Sequence, residues 1–182
     1  MAWLLVAVVF VPLVGVIACA LVPKSASKNA RVLALLFSGL DLVLASWLVA
    51  VFDRAEGMQL ITKLPWVPEF GISFHMGIDG ISLSMLWLSA LLTVLAVIAS
   101  WKIDNRPAMY FAMIMLLEVG MNGVFSSLDF VLFYVFWELV LVPMYFLIAM
   151  WGGERREYAS IKFFLYTLFG SVFMLIGIVA LY

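Results

Sequence analysis

Charged residues are scarce in this chain of 182 residues: only 12% are Asp, Glu, Lys or Arg, whereas 67% are hydrophobic. A soluble domain of this size carries about twice that share of charged residues, at roughly 25%. The composition therefore excludes a soluble globular protein and indicates an integral membrane protein. A formal net charge of −1 gives no information about partners, because in a membrane protein the positions of the charges matter. We expect no nucleic-acid partner for a membrane protein of this composition.

Residues that bind metals or form disulfides are also rare. The one cysteine, Cys19, excludes a disulfide framework and lies in an apolar run, so we expect it to be a small buried residue. The one histidine, His75, has no second ligand at a suitable spacing, so we expect a surface or strand residue and no metal site. There is no glycine-rich phosphate loop and no nucleophile paired with a base, so we expect no redox centre on this chain.

Long apolar runs make up most of the sequence. Six of them are long enough to cross a bilayer as helices: residues 2–22, 32–52, 81–100, 108–126, 130–151 and 160–182. The first run has no basic residues before it and no cleavage site after it, so it is predicted to be a retained span. The predicted fold is an all-α polytopic membrane protein with six transmembrane helices. The chain stops at GIVALY, within or just at the end of span six, so we expect it to be the N-terminal part of something longer.

The basic residues are distributed unevenly among the links between spans. The links after the first, third and fifth spans hold eight of the ten: Lys24, Lys28, Arg31, Lys102, Arg106, Arg155, Arg156 and Lys162. By the positive-inside rule, these odd-numbered links are predicted to be cytoplasmic and the N-terminus to lie outside. Trp101 and Trp151 fall at the predicted cytoplasmic ends of spans three and five, where interfacial aromatic residues are common.

The second link, residues 53–80, is the only sizeable extramembrane segment and is predicted to lie on the outer surface. In its alternating run from Ile72 to Ile78, apolar side chains occupy every second position, which is typical of one face of a strand. We therefore expect a small β element between helices 2 and 3. Asp79 follows it and is a candidate N-cap for the third helix.

Glu138 lies near the middle of span five and is the main candidate functional residue. A carboxylate at that depth costs several kcal/mol unless it is neutralised, hydrated or paired, so we interpret Glu138 as a proton carrier. The alternative is a protonated glutamate that only donates a hydrogen bond between helices. Pro143 leaves the Leu139 carbonyl without its helical donor, which indicates either a hydrated helix break beside the acid or a simple bend.

Glu118 in span four is a second candidate for proton translocation. The link between spans four and five is very short, and counting from a turn near Leu128 puts Glu118 and Glu138 at about the same depth. Asn122 lies one turn from Glu118 on the same face and is a candidate for the proton path. Asp41 lies in the middle of span two without an evident partner, so we treat it as a weak candidate.

Polar residues at two further places are candidates for a proton path or entrance. Ser82, Ser89, Thr93 and Ser100 follow one stripe of span three, which indicates close helix packing or, alternatively, a water-lined path. Lys162 begins span six and is predicted to lie level with about residue 147, too far from Glu138 to pair with it. It is interpreted as a snorkelling or loop-level charge, with a role at a proton entrance as the alternative.

These residues lie in recognisable motifs. The segments FWELVLVPMYFLIAMWGG, SSLDFVLFYV before it, KFFLYTLFGSVFMLIGI after it and FHMGIDGISL at the start of span three closely resemble subunit M of bacterial NADH-quinone oxidoreductase, respiratory complex I. The chain also resembles, less closely, large subunits of multi-subunit sodium/proton antiporters and of membrane-bound hydrogenases.

The resemblance implies a subunit of a redox-driven proton pump in the bacterial inner membrane, with a fold of fourteen helices. It implies that Glu138 is the fifth-helix glutamate that pairs with a lysine on a seventh helix, and it suggests Glu118 as a fourth-helix acid. Quinone, FMN and iron-sulfur clusters are then expected on partner subunits, and neighbouring antiporter-like subunits are expected partners.

This chain ends before a seventh helix, so alone it is expected to be inactive. A sodium/proton antiporter subunit and a truncated, non-pumping membrane scaffold remain the alternatives.

Overall fold

The computed structural model describes residues 2–23, 27–53 and 57–181. Six membrane-length helices lie within these ranges, as predicted: α1 Ala2–Ala20, α2 Ser27–Val51, α3 Gly80–Ala99, α4 Pro107–Ser126, α5 Phe130–Trp151 and α6 Arg156–Leu181. Lys24 of the first link, Arg54 of the second link and Tyr182 at the end of span six lie outside the described residues. The chain is a multi-pass membrane protein.

Two helices begin earlier than the apolar runs that predict them. Helix α2 begins at Ser27 rather than residue 32, and α6 begins at Arg156 rather than residue 160. Most of the early residues are polar or charged. Such side chains are stable at a membrane interface, where a helix can continue without being apolar. Hydrophobicity therefore locates the part of each helix inside the hydrocarbon and misses the turn outside it.

An antiparallel β-hairpin lies between α2 and α3. Its strands are β1, Gln59–Val67, and β2, Ile72–Ile78, joined by a 3₁₀ turn in which Gly71 adopts a φ of +68°. The bounds of β2 are those predicted from the alternating run. The side chains of Met76 and Ile78 are fully buried in the helical core, as expected for one face of this strand. His75 is a strand residue opposite Lys63, as expected.

The hairpin is attached to the link between α4 and α5. The backbone N–H of Leu128 donates to the His75 carbonyl at 2.8 Å, and Ser127 forms a β-bridge with Met76. Asp129 caps α5 by accepting from the N–H groups of Val131 and Leu132, while its other oxygen accepts from the Ser73 N–H at 2.9 Å. The hairpin therefore fixes the N-terminus of α5.

The N-cap predicted for α3 is present. The Asp79 carboxylate accepts a hydrogen bond from the Ser82 backbone N–H at 2.7 Å. This bond stabilises the ionised carboxylate, so it lowers the pKa of Asp79 from its ordinary value.

The link between α3 and α4 is held at the opposite end of the bundle. Arg31 of α2 forms an ion pair with Asp104 at 2.5 Å and donates to the Ile103 carbonyl. The indole N–H of Trp151 donates to the Asn105 carbonyl at 2.8 Å. These contacts join α2 and α5 to the link that the charge pattern assigns to the cytoplasm.

Helix α4 is the central helix. It packs against α1, α2, α3 and α5, and half of its residues are buried. Helix α6 packs mainly against α5, and its opposite face is exposed. Cys19 is fully buried, as expected, and its thiol lies 3.6 Å from the Ala30 carbonyl oxygen.

Candidate functional site

Two glycines set the way α4 packs against α5. A Cβ on Gly120 would lie 2.6 Å from the Val140 side chain, and a Cβ on Gly123 would lie 2.1 Å from the ring of Phe136. Only glycine allows this close approach of the two helices. Gly120 is therefore level with Val140, and Gly123 with Phe136.

This register corrects the predicted depth of the two glutamates. With Gly120 level with Val140 and Gly123 with Phe136, Glu138 is level with residues 121–122. It therefore lies about one turn, ~5 Å, nearer the β-hairpin than Glu118. The prediction of equal depth is therefore wrong by about one turn. The physical reason is that the helix pair is centred near residue 130, midway between Gly120 and Val140, and not near Leu128 as assumed from the short link.

The two glutamates also point in opposite directions. At 100° per residue, Glu118 is rotated roughly 170° from the direction in which Gly120 and Gly123 face α5. By the same count, Glu138 is rotated roughly 180° from the side of α5 that faces α4 through Phe136 and Val140. The structure therefore does not bring Glu118 and Glu138 together, and each acid has its own surroundings.

Glu138 is half-buried on the side of α5 that faces α6. The hydroxyl group of Tyr134, one turn earlier, lies beside both Glu138 and Ser171 of α6. The Oε1 atom of Glu138 is buried and has no hydrogen-bond partner among the residues that the structure describes. A buried carboxyl oxygen without a partner near the middle of a membrane is costly when ionised, and protonation or a nearby cation lowers that cost.

Pro143 lies within α5, which remains helical from Phe130 to Trp151. The predicted helix break is therefore limited to the Leu139 carbonyl, whose helical hydrogen bond Pro143 cannot make. This free acceptor lies one residue from Glu138.

Glu118 has a different set of neighbours, which includes the acid that the sequence left without a partner. The carboxyl groups of Asp41 in α2 and Glu118 lie against each other. The Asn122 side-chain N–H donates to Asp41 at 3.1 Å and to the Val8 carbonyl at 3.3 Å. Asp41, Glu118 and Asn122 are all 0% exposed. Asp41 is therefore a full member of a buried polar cluster, and its assignment as an unpartnered weak candidate is corrected.

The hydroxyl stripe of α3 reaches this cluster. Ser89 and Thr93 are buried, and Thr93 lies beside Glu118 while its hydroxyl donates to the Ser89 carbonyl at 3.0 Å. At the far end of the stripe, the hydroxyl oxygens of Ser100 and Tyr110 are 2.8 Å apart. The stripe therefore faces the interior of the bundle.

A groove of about 490 Å³ lies between α3, α4 and α5, and Leu92, Thr93 and Met121 line its inner end. It extends along mostly apolar side chains to Tyr110, Trp151 and Gly152, at the end of the bundle that holds the odd-numbered links. Thr93 therefore separates the groove from Glu118 and the rest of the polar cluster.

Lys162 lies where the sequence predicts, away from Glu138. The rings of Tyr145 and Phe164 are in contact, with centroids 5.6 Å apart, so Lys162 is level with about residue 147. Its side chain is exposed, and its ammonium group lies 5.7 Å from the centroid of the Tyr158 ring. At this position Lys162 does not pair electrostatically with Glu118 or Glu138.

Asp41, which the sequence analysis named only as a weak candidate, carried one further usable signal. An ionisable residue in the middle of an apolar span is costly, so two such acids in neighbouring helices are expected to share polar contacts. The helix rotation that joins them was not available from the sequence, since α2 and α4 are not adjacent along the chain.

Comparison with known proteins agrees with this architecture. Residues 127–182 match the family model described as NADH:quinone oxidoreductase/Mrp antiporter, TM. The chain is 37% identical over 179 residues to NAD(P)H-quinone oxidoreductase chain 4-2 of Synechocystis sp., covering 97% of this chain and 32% of that protein. It is 36% identical over 181 residues to chain 4 1 of Synechococcus elongatus, covering 97% and 34%.

Among solved structures, a chain of respiratory complex I from Thermus thermophilus with bound NADH superposes with a TM-score of 0.82 at 29% identity, covering 94% of this chain and 34% of that one. A chain of the membrane-bound sulfane sulfur reductase, an archaeal respiratory membrane complex, has a TM-score of 0.80 at 20% identity and shares the fold, with 95% and 36% covered. The chain thus spans about a third of the length of the relatives it matches. In sequence and in fold, it is similar over nearly its whole length to about a third of a complex I antiporter-like membrane subunit.

Proposed function

We propose that this chain is part of an antiporter-like membrane subunit of a redox-driven proton pump, in which protons cross the membrane as electrons pass from NADH or NADPH to quinone. The similarity to chain 4 of NAD(P)H-quinone oxidoreductases supports this class of complex. The assignment to subunit M, rather than to another antiporter-like subunit, is part of the proposal and rests on the sequence motifs.

Glu138 is the proposed proton-switching residue. The observation that carries this proposal is its buried Oε1 atom, which has no hydrogen-bond partner in the described part of the chain although it lies near the middle of a membrane helix. When the carboxyl group is ionised, a nearby cation stabilises it; when the cation moves away, protonation removes the cost of a buried charge. The cation is proposed to come from a later helix of the complete protein, as the family resemblance implies.

The groove beside Thr93 is a proposed route for protons from the end of the bundle that holds the odd-numbered links to the polar cluster in the bundle interior. Thr93, Ser89 and Asn122 would supply hydroxyl and amide groups to water molecules along the inner part of this route. Lys162 is exposed at the same end and is the proposed entrance charge.

The decisive experiment replaces Glu138 in the complete protein, assembled in its membrane complex. Glu138→Gln keeps the size and polarity of the side chain and removes its titration, so quinone-dependent proton pumping is expected to fall to a small fraction of the native value. Glu154→Gln, at an exposed position beyond α5, is the matched control and is expected to retain pumping. If pumping and electron transfer persist in Glu138→Gln, this residue is not the switch.

A sodium/proton antiporter is the second candidate, because the matching family model also covers the Mrp antiporters. This function needs the same acid and no electron donor. Sodium-dependent pH changes in vesicles that hold the complete protein but no donor would favour it, whereas pH changes that require NADH or NADPH and quinone would favour the redox pump.

The remaining components belong to the proposed complex. The complex would carry quinone, FMN and iron-sulfur clusters on subunits other than this chain, next to further antiporter-like subunits. We propose the bacterial inner membrane as its location, and fractionation of plasma membranes from any internal membranes would test this.

A further inference from the structure

The polar cluster around Asp41 and Glu118 has more acceptors than donors. The Asn122 side chain donates to Oδ2 of Asp41. Within the described residues, Oδ1 of Asp41 and both carboxyl oxygens of Glu118 have no hydrogen-bond donor. Thr93 does not supply the missing donor, because its hydroxyl group donates to the Ser89 carbonyl.

A third side chain points to the same missing donor. The amide of Asn122 is directed into the cluster, it is 0% exposed, and its Oδ1 atom is also buried without a partner among the residues that are described. An unpaired buried polar atom costs about 1–3 kcal/mol, so several of them in one contact group indicate that something with a donor or a positive charge is bound there.

Among the side chains that the structure describes, no basic group faces this cluster to balance two ionised acids. Helices α1 and α3 contain no Lys, Arg, His, Asp or Glu, and Glu118 is the only such residue in α4. In α2, Arg31 is bound to Asp104 at least ~15 Å along the helix from Asp41, and Lys28 is farther still. Glu138 faces the other side of α5. Two carboxylates in contact without a cation repel each other strongly in a low-dielectric interior.

We propose that Asp41 and Glu118 form a proton-binding site, in which one carboxyl group holds a proton and donates it in a hydrogen bond to the other. One proton turns an acceptor into the missing donor and removes one of the two negative charges. The proposal concerns proton binding by this pair and does not rest on the function proposed for Glu138.

A proton fits this site better than a metal ion does. No group of three or more His, Cys, Asp or Glu residues suited to a metal occurs in the described ranges. Hard cations such as Ca²⁺ and Mg²⁺ need about six or more oxygen ligands arranged around one point, whereas the pair needs a single donor between two carboxyl groups that already lie against each other. The amide of Asn122 then holds Asp41 in place.

Infrared spectroscopy of the complete chain in lipid vesicles at neutral pH tests the proposal. Protonated carboxyl groups have a carbonyl band separate from that of carboxylates, and this band shifts on exchange into D₂O. In two samples of the unsubstituted chain, the side-chain carboxyl carbons of either all Asp or all Glu residues are labelled with ¹³C. One of these labels is expected to shift the carbonyl band of a buried protonated carboxyl group at neutral pH, which shows the residue type that holds the proton. A native chain whose acids other than Glu138 are all ionised would overturn the proposal.

Substitutions assign the band. Asp41→Asn and Glu118→Gln are each expected to remove it, since the amide that replaces one acid supplies the donor the other needs, while Glu138→Gln and Glu154→Gln are expected to leave it in place. Retention of the band in the double variant Asp41→Asn/Glu118→Gln contradicts the proposal. A band that appears only when sodium is removed, together with saturable ²²Na⁺ binding, also contradicts it and makes the pair a cation site.

Discussion

Alanine at Gly123 is expected to separate α4 from α5. The added Cβ would lie 2.1 and 2.2 Å from two ring atoms of Phe136, far inside van der Waals contact, and that ring is itself buried. Overpacking of this kind costs about 3 kcal/mol at the upper end of its usual range. Alanine recovers ~1 kcal/mol of helix propensity relative to glycine. The free energy of unfolding is therefore expected to fall by about 2 kcal/mol.

Gly170→Ala in α6 is the matched control, because an added Cβ at Gly170 meets nothing within 4 Å among the described atoms. It makes the same chemical change inside a membrane helix and is expected to be neutral or to stabilise the chain by up to ~1 kcal/mol. Reversible unfolding of the two variants in detergent micelles gives the comparison. Equal stability of Gly123→Ala and Gly170→Ala would refute both the packing argument and the register derived from it.

Two further predictions concern the residues that cap helices outside the membrane. Asp129→Ala removes the acceptor of two backbone N–H groups of α5 and of the Ser73 N–H, so the free energy of unfolding is expected to fall by about 2 kcal/mol. Ser73→Ala keeps the bond from the backbone N–H of residue 73 to Asp129, so a loss of less than ~1 kcal/mol is expected. Both are measured by unfolding in micelles, and similar losses would contradict the capping role. Asp79→Ala is expected to cost about 1 kcal/mol at neutral pH through loss of the α3 cap. Because the pKa of Asp79 is lowered in the folded chain, its charge stabilises the fold above the ordinary value of ~3.9 and this contribution is lost as the pH falls through the folded pKa. The difference between native and Asp79→Ala chains, measured by unfolding at several pH values, should therefore shrink on acidification, and a constant difference would exclude the effect.

The elements of this fold were predictable where the physical signal is local. Apolar length located all six membrane helices, alternation gave β2 from Ile72 to Ile78, and the sequence after it predicted the Asp79 cap. The partner strand β1 was not located, because it contains Pro65 and its burial depends on the helices beneath it. The starts of α2 and α6 were predicted four or five residues too late, because the first turn of each helix lies outside the hydrocarbon, where apolar side chains are not required.

Helix rotation explains most of what the sequence did not predict about the site. A membrane helix has lipid on one side and apolar packing on the other, so the hydrophobic periodicity that orients helices in soluble proteins is weak. Counting from the short link placed Glu118 and Glu138 at similar depths, with an error of one turn, but gave no direction for either side chain. The partnership of Asp41 with Glu118 required the relative rotation of two helices that are far apart in the chain.

Small residues on α4 supply the directional information that hydrophobicity lacks. Since Gly120 and Gly123 are the positions where α5 approaches, Glu118 must face the other way, toward α2 and α3, whatever the exact tilt of the helices. Glu138 is turned away from α4 by the same interface and faces α6. Glu118 and Glu138, which the sequence places at similar depths, therefore belong to two different sites. Glu118 is fully buried beside the carboxyl group of Asp41, and Glu138 lies beside helix α6, which has few buried residues. Of these two glutamates only Glu138 is partly exposed, so under the proposed function it is the one that a cation from a further helix would reach.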